Sequence, residues 1–363
     1  MRSFFKSFAA LIFALAAVPA LAVDRPPQYI AIAFDNCTEL DRWKEWSDFA
    51  ANMNRDGDRV HFTFFVSGVN FIADANKSIY QPPHERRGSS RINFGGTLDD
   101  VRSRILYIND LHARGHDIAS HAVGHFDGRH WSASDWKREF ESFDNAFSKV
   151  AANNDLPEDA GFDFPVSEIT GFRAPYLATS PGLYATMNAD RFRYHTNGDA
   201  EADAWPVKEN NLWRFSLANI RISGARRKTL SMDYNFLVAQ SMGLDNPRLR
   251  EFYRQQMLDT YLDYFKASYT GNRAPLHIGH HFNDYQRGAY REALKSFAGA
   301  VCGLPEVRCI SYRMLADMLD KESPETLAAY QKGDFERAQM PKIDPGLVAG
   351  APPVVTATPT ATQ

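Results

Sequence analysis

The chain has few features that would place it in a specialised class of protein. Three cysteines among 363 residues are too few for a fold held together mainly by disulfides. Its 41 lysines and arginines, against 44 aspartates and glutamates, form no long basic block. This argues against nucleic acid or an anionic membrane surface as a partner. No internal repeat is visible, and a content of 44% hydrophobic and 23% charged residues is that of an ordinary globular protein.

The first residues have the pattern of a targeting segment. Arg2 and Lys6 precede an apolar run over 8–18, and the small-residue sequence Ala-Leu-Ala follows at 20–22. The pattern predicts a signal peptide over residues 1–22, cleaved after Ala22, and therefore a secreted or periplasmic product. The apolar run is too short to span a bilayer, which takes roughly 20 residues. No later run is long enough, so we expect no membrane span after cleavage.

Strand-like and helix-like segments alternate along the rest of the chain. An unbroken apolar run such as 29–34 is typical of a strand covered on both faces. Thr97 with Asp100, and Ser132 with Asp135, predict helix starts of the capping-box type. The other predicted strands are 61–66, 116–120, 169–172, 192–195, 212–217, 276–280 and 307–310, and later helices are predicted over 248–269, 290–301 and 313–319. This alternation predicts an α/β fold with a parallel sheet, either open or closed into a barrel.

The alternation predicts a single domain over 23–320. Beyond it, residues 321–348 form a C-terminal extension in which Ser323-Pro324 begins one short helix that Gly333 ends. From residue 349 to residue 363 the chain is of low complexity, and we expect it to be disordered. Cys302 and Cys309 bracket a turn and can pair in an oxidising compartment, a question that spacing leaves open. Cys37 is then single, and we interpret it as a small buried residue.

Polar residues gather where four of the predicted strands end. These clusters are Asp-Asn-Cys at 35–37, His-Ala-Val-Gly-His at 121–125, Arg-Ala-Pro-Tyr at 173–176 and His-Ile-Gly-His-His at 277–281. In parallel α/β folds the loops at the carboxyl ends of the strands build the functional site. We therefore expect these clusters to meet at one end of the sheet.

Two of the clusters suggest a chemistry. His121 and His125 are four residues apart, so on a helical turn both imidazoles would project from one face and could share a metal. The residue after the first histidine is Ala122 rather than glutamate, which excludes the metalloprotease motif with glutamate at that position. Asp35 is either a helix cap, a salt-bridge partner of an arginine such as Arg173, or a general base held by that arginine. The three histidines at 277, 280 and 281 are either packing residues or a source of a proton at neutral pH.

Together the clusters resemble the polysaccharide deacetylases of the NodB-homology type, carbohydrate esterase family 4. Five short motifs define that family, and they occur here in the family's order between about residues 28 and 320. Asp35-Asn36 matches the first motif, in which the family has two aspartates. The second motif is matched by His121 and His125, and the third by Arg173 with Pro175 and Tyr176.

The last two motifs match less closely. The fourth is an acidic stretch that ends in tryptophan, for which Trp205 with either Asp199 or Asp203 is the candidate. The fifth, Leu-x-His, is matched loosely by Ile-Gly-His at 278–280.

The resemblance implies a deformed (β/α) barrel with one divalent metal, usually zinc. It implies a metal-dependent hydrolase of carbon–nitrogen amide bonds, which removes the N-acetyl groups of amino sugars in peptidoglycan or another envelope glycan and releases acetate. Asp35 would be the base, Arg173 would hold it, and His280 would protonate the leaving amine, with His281 or His277 as alternatives. The backbone N–H of Tyr176 would stabilise the oxyanion, Trp205 would shape the wall beside the acid, and the metal ligands would be His121, His125 and Asn36.

Asn36 is the main departure from the family, which has an aspartate as metal ligand at this position. An amide oxygen is a neutral and weaker donor, so the substitution either tunes the metal or loses it. The alternative function is therefore a catalytically impaired barrel that binds carbohydrate, with the loop over 72–97 and the segment 232–236 lining a groove. A hydrolase needs the ion, whereas such a binding protein would hold sugar after chelation. The sequence predicts no oligomeric state.

Overall fold

A computed structural model describes residues 23–188, 190–344 and 346. The predicted signal peptide and low-complexity tail lie outside the described residues. The strands are β1 (Gln28–Asp35), β2 (Thr63–Val66), β3 (Asp117–Ser120), β4 (Gly171–Phe172), β5 (Tyr194–His195), β6 (Asp199–Glu201), β7 (Val207–Glu209), β8 (Leu212–Arg214), β9 (Leu217–Arg221), β10 (Lys228–Leu230), β11 (Leu276–His281) and β12 (Val307–Cys309). The α-helices are α1 (Leu40–Met53), α2 (Leu98–Ala113), α3 (Ala133–Ser148), α4 (Val150–Asn153), α5 (Pro181–Thr186), α6 (Asp233–Ser241), α7 (Arg250–Thr270), α8 (Ala289–Val301), α9 (Tyr312–Leu319) and α10 (Pro324–Lys332).

The strands curl into an irregular barrel. β11, β1, β2, β3, β4, β5 and β8 lie side by side and run parallel. The parallel pair of β6 and β9 continues the pair of β5 and β8. Ser231 closes the ring, because its N–H donates to the Ala218 carbonyl of β9 and its carbonyl accepts from the Gly279 N–H of β11. The predicted α/β class and the deformed (β/α) barrel are confirmed.

Alternation along the strands separates two apolar layers. On β1, Tyr29, Ala31 and Ala33 join aromatic residues of the other strands inside the barrel. Ile30, Ile32 and Phe34 face outward and are buried against the helices. Because successive side chains of a strand point to opposite faces, the next residue on the inner face of β1 is Asp35. The strand thus delivers a carboxylate to the carboxyl end of the barrel.

The sequence predicted the starts of two helices that begin with a capping side chain. Thr97 with Asp100, and Ser132 with Asp135, form both hydrogen bonds of a capping box at the starts of α2 and α3. Helix α1 was not predicted, because it follows Glu39, a residue whose side chain makes no capping hydrogen bond. The short strands β6, β7, β9 and β10 were not predicted either, because their three to five residues are too few for a periodic pattern.

Cys302 and Cys309 form a disulfide, with their Cα atoms 5.6 Å apart, and Cys37 is buried and unpaired. In the C-terminal extension α10 starts at the Ser323 cap and ends at Gly333, which adopts a left-handed conformation with φ 69°. None of the described helices has the length and hydropathy needed to cross a membrane.

Candidate active site

An ion pair lies at the end of β1. Asp35 is 3% exposed, and its Oδ1 accepts a hydrogen bond of 2.7 Å from Nη1 of Arg173, the residue that follows β4. Nε of Arg173 donates to Oγ1 of Thr196 at 2.7 Å, which fixes the plane of the guanidinium. Burial by itself would raise the pKa of Asp35, but the nearby charge of Arg173 outweighs burial, with a smaller contribution from His281, and lowers that pKa. Asp35 is therefore held as a carboxylate.

A second pair faces the first across the seam between β1 and β11. Asp35 and His281 are neighbours in the register of these parallel strands. Nδ1 of His281 and Oδ1 of Asp233, the first residue of α6, are 2.6 Å apart, and the His281 N–H donates to Oδ2 at 2.8 Å. Burial would lower the pKa of His281, but the Asp233 carboxylate raises it. Asp233 therefore favours the protonated form of this imidazole.

The histidine pair lies in the loop after β3 rather than on the helical turn that the spacing predicted. Ala122 and His125 adopt left-handed conformations with φ near 58° and 56°. The loop nevertheless brings the rings of His121 and His125 together, with centroids 5.0 Å apart. Nδ1 of His121 lies 2.8 Å from the Arg173 carbonyl, an acceptor only, so this nitrogen carries the proton and Nε2 is open. Burial lowers the pKa of both imidazoles, that of His125 to about 3, which leaves them neutral.

These imidazoles fit a divalent ion, although the ligand set is incomplete. Nδ1 of His125 is buried and has no hydrogen-bond partner among the described residues. Over the same residues, no group of three or more histidine, cysteine, aspartate or glutamate side chains is placed to hold a metal. The third ligand that the resemblance implies is an amide, Asn36. Its Nδ2 donates to Oδ1 of Asn283 at 3.2 Å, and its Oδ1 accepts a long hydrogen bond of 3.4 Å from the Thr38 hydroxyl, which leaves a second lone pair of Oδ1 for an ion.

Tyr176 lies at the rim of this group. Its side chain is 59% exposed, its φ is 57°, and its ring packs edge-on against His125 with centroids 4.6 Å apart. Beside it opens a cavity of about 300 Å³ whose wall includes Phe126 and Trp131. Aromatic faces of this kind are suited to the apolar faces of a sugar ring.

The structure places His280 on the outer face of β11, opposite to the face that carries His281, which argues against its choice as the proton donor. His280 is fully buried, with Nε2 3.0 Å from the hydroxyl of Tyr261 on α7 and Nδ1 3.7 Å from Oδ2 of Asp233. Burial lowers its pKa to about 4. Alternation along β11 puts His277 and His281 on the inner face and His280 on the other. The alternation of side chains along β11 could have distinguished His281 from His280 in the sequence. The match of the Leu-x-His motif at 278–280 favoured His280 instead.

Trp205 is likewise engaged elsewhere, which corrects its placement beside the acid. Its Nε1 donates to the Asn272 carbonyl at 2.9 Å, and its ring stacks on Tyr330 of α10 at 5.1 Å. Asp199 is an exposed residue of β6 that bonds Asn219, and the Asp203 carbonyl accepts from the side chain of Asn272.

His277 lies inside the barrel, with its ring stacked on Tyr312 at 5.6 Å, and burial lowers its pKa to about 3. The acid that contacts His281 is Asp233, which lies in the segment 232–236 expected from the sequence only as a possible groove wall.

No protein-family model and no curated protein matches the chain, but solved structures do. A putative polysaccharide deacetylase from Mycobacterium smegmatis shares 17% identity over 85% of this chain and 96% of its own, with a TM-score of 0.47. The Xyl-CE4 domain of a multidomain xylanase from the hindgut metagenome of Trinervitermes trinervoides shares 13%, over 82% and 93%, with a TM-score of 0.40. A CE4 family pseudoenzyme from Bacillus anthracis shares 9%, over 80% and 66%, with a TM-score of 0.40. The family named in these structures is the one that the motifs resemble, while identities this low do not assign an activity.

Proposed function

We propose that the chain is a polysaccharide deacetylase of carbohydrate esterase family 4, which hydrolyses the N-acetyl amide of amino sugars in peptidoglycan or another envelope glycan. The observation that carries this proposal is the pairing of a carboxylate with an imidazolium across one strand seam. Asp35, held by Arg173, can accept a proton, and His281, held by Asp233, can donate one. Amide hydrolysis needs both steps, one on the attacking water and one on the leaving amine.

The proton acceptor is Asp35. Its lowered pKa keeps the carboxylate ionised, and its contact with Arg173 fixes the orientation of both oxygens. The free oxygen takes a proton from the water that attacks the acetyl carbon. Because the carboxylate is buried, few water molecules have to leave it when it accepts the proton, which favours the transfer.

The proton donor is His281. Asp233 holds Nδ1, so the proton on Nε2 is the one delivered to the nitrogen of the leaving amine. The Asp233 carboxylate raises the pKa of His281, which favours retention of that proton. His281 takes the role that the motif first gave to His280.

A divalent metal would be held by His121, His125 and Asn36, and when bound it would polarise the acetyl carbonyl and acidify a water. The chain's own part is to present two neutral imidazoles with open nitrogens, to exclude bulk water from Asp35, and to offer the backbone N–H of Tyr176 to the developing oxyanion.

We further propose that the protein is exported. The targeting pattern of residues 1–22 predicts it, and the Cys302–Cys309 disulfide supports an oxidising compartment.

The second candidate function is a carbohydrate-binding barrel without catalysis. The amide at Asn36, where the family has a carboxylate, favours it, and one of the similar structures is a pseudoenzyme. The two candidates differ in whether acetate is produced.

The experiment is an acetate-release assay on N-acetylglucosamine oligomers and on peptidoglycan. The purified protein is tested with added zinc, after chelation, and as the Asp35→Asn variant. We expect release with zinc, its loss after chelation and a large decrease in the Asp35→Asn variant. Binding of the oligomers without release under any metal condition would favour the carbohydrate-binding function.

A further inference from the structure

A buried carboxylate lies within the apolar face of α3. Glu139 is 0% exposed and occupies the face that also carries Trp136 and Phe143. No lysine, arginine or histidine lies within 4.0 Å of it in the part of the chain that the structure describes. Burial raises the pKa of Glu139 to about 7. A carboxylate in this position is costly, so some contact must offset the cost.

The contacts of Glu139 are with the loop between the two candidate metal histidines. Its Oε1 accepts from the backbone N–H of Val123 at 2.9 Å and, more weakly, from that of Gly124 at 3.4 Å. The hydroxyl of Tyr80 donates to Oε2 at 2.8 Å. Glu139 therefore ties the loop over 121–125 both to α3 and to the loop over 72–97.

Arg104 is the counterpart on α2. It is 2% exposed, and its Nε and Nη2 donate to the Thr38 carbonyl at 3.2 and 2.8 Å. Its Nη1 donates to the Asn70 carbonyl at 2.6 Å. Thr38 in turn donates its N–H to the Asn36 carbonyl at 2.8 Å. Among the described residues no carboxylate lies within 4.0 Å of the guanidinium. Its hydrogen bonds go to backbone carbonyls, that of Thr38 after β1 and those of Asn70 and Gly95.

Both loops need such support. Asn36, Ala122 and His125 have φ between 51° and 58°, a left-handed conformation that costs free energy in residues with a side chain. Without hydrogen bonds from outside, we expect the loops to relax from these left-handed conformations. Glu139 and Arg104 make directional hydrogen bonds to backbone groups of these loops, which an apolar residue of the same size could not make.

We propose that Glu139 and Arg104 are positioning residues that hold the loops bearing His125 and Asn36 in metal-binding geometry. The consequence for metal affinity rests on the proposed function, whereas the order of the loops does not. Each residue acts through backbone groups of its loop rather than by touching the ion or the substrate.

Two substitutions of Glu139 separate its role from simple core packing. Glu139→Gln keeps an acceptor for the Val123 N–H and places an amide donor beside the Tyr80 hydroxyl, whereas Glu139→Leu removes both contacts. In calorimetric titration with zinc we expect affinity to fall about 10- to 100-fold in Glu139→Leu and to stay within about threefold in Glu139→Gln. Arg104→Met is expected to weaken binding in the same direction through the loop of Asn36.

The matched control is Phe143→Leu, which disturbs the buried face of α3 four residues away without touching the loop. It should lower the melting temperature while zinc affinity stays as in the wild type. Equal loss of affinity in Phe143→Leu, or full affinity in Glu139→Leu, would overturn the proposal. If Glu139→Leu does not fold, Arg104→Met gives the deciding comparison for the second loop.

Hydrogen exchange of the metal-free protein distinguishes failure of this inference from failure of the proposed function. We expect the Val123 and Gly124 amides to exchange faster in Glu139→Leu than in the wild type and in Phe143→Leu. Unchanged exchange refutes the positioning role. Faster exchange in a protein whose wild type binds no zinc would retain that role and refute the metal-dependent function.

Discussion

The two halves of the candidate site are built in different ways. The proton-transfer half consists of side chains at or just beyond the strand ends, Asp35 and His281, each bonded within 2.7 Å to a buried partner of opposite charge. The metal half consists of His121, His125 and Asn36, which lie on loops and offer only neutral donors. Strand register fixes the first half, whereas backbone hydrogen bonds from the helices fix the second.

Because of this difference, substitutions should have different effects in the two halves. Loss of a partner in the proton-transfer half leaves a buried charge without compensation, which is costly. Changes in the metal half alter the number and charge of donors around an ion, which changes affinity more than folding. The proton-transfer half should therefore respond to substitution in both stability and rate, and the metal half mainly in metal binding.

The largest effect is expected when the proton acceptor is removed. Asp35→Asn keeps the shape of the side chain but cannot take a proton, so we expect acetate release to fall by about 10²- to 10⁴-fold. The variant also leaves the Arg173 guanidinium without its carboxylate, at a cost on the order of 3 kcal/mol in unfolding free energy. Rate assays and denaturant unfolding measure the two losses. Activity within a few-fold of the wild type would exclude Asp35 as the base.

Neighbouring histidines give an internal control for the proton donor. His281→Gln removes the inner imidazole, and we expect kcat to fall about 10²-fold or more. His280→Gln removes the outer imidazole and its contact with Tyr261, which should cost about 1–3 kcal/mol of stability and leave kcat within about tenfold. Steady-state kinetics and thermal unfolding of both variants make the comparison. A larger loss of kcat in His280→Gln would restore the first assignment.

Much of the barrel could be predicted from the sequence, because apolar runs and capping pairs signal strands and helices locally. The contact of Asp35 with Arg173 followed from two strand ends meeting. Asp233 could not be placed in this way, since it reaches His281 from a helix 48 residues earlier in the chain, with no local signal. The position of Trp205 could not be predicted for a similar reason. Its partner Tyr330 belongs to a C-terminal helix, and no short motif indicates where that helix packs.

Asp233→Asn tests the proton-transfer half through the pH dependence of kcat and of stability. The raised pKa of His281 means that its ion pair contributes stability that is fully present below its ordinary pKa of 6.5 and lost as pH rises through the folded value. Without the carboxylate that pKa falls, so the basic limb of kcat should move to lower pH. The stability difference between the two proteins should shrink above the folded pKa. pH–rate profiles and unfolding between pH 5 and about 9 measure both, and an unmoved basic limb would contradict the assignment.

A smaller and favourable effect is expected in the metal half. Asn36→Asp replaces a neutral donor by a carboxylate, which should strengthen zinc binding about tenfold, with little change in unfolding free energy of the metal-free protein. The matched control is Asn283→Asp, which adds the same charge beside Asn36 at its hydrogen-bond partner. Equal gains in the two variants would show that added charge, rather than a ligand at Asn36, explains the increase.

The most direct test of the account is a calorimetric zinc titration of the metal-stripped protein beside His121→Ala. Two neutral imidazoles with open nitrogens predict binding of one ion per chain in the wild type and its loss in the variant. Absence of binding in a folded wild-type protein would contradict a metal-dependent deacetylase and would leave carbohydrate binding as the function of the barrel.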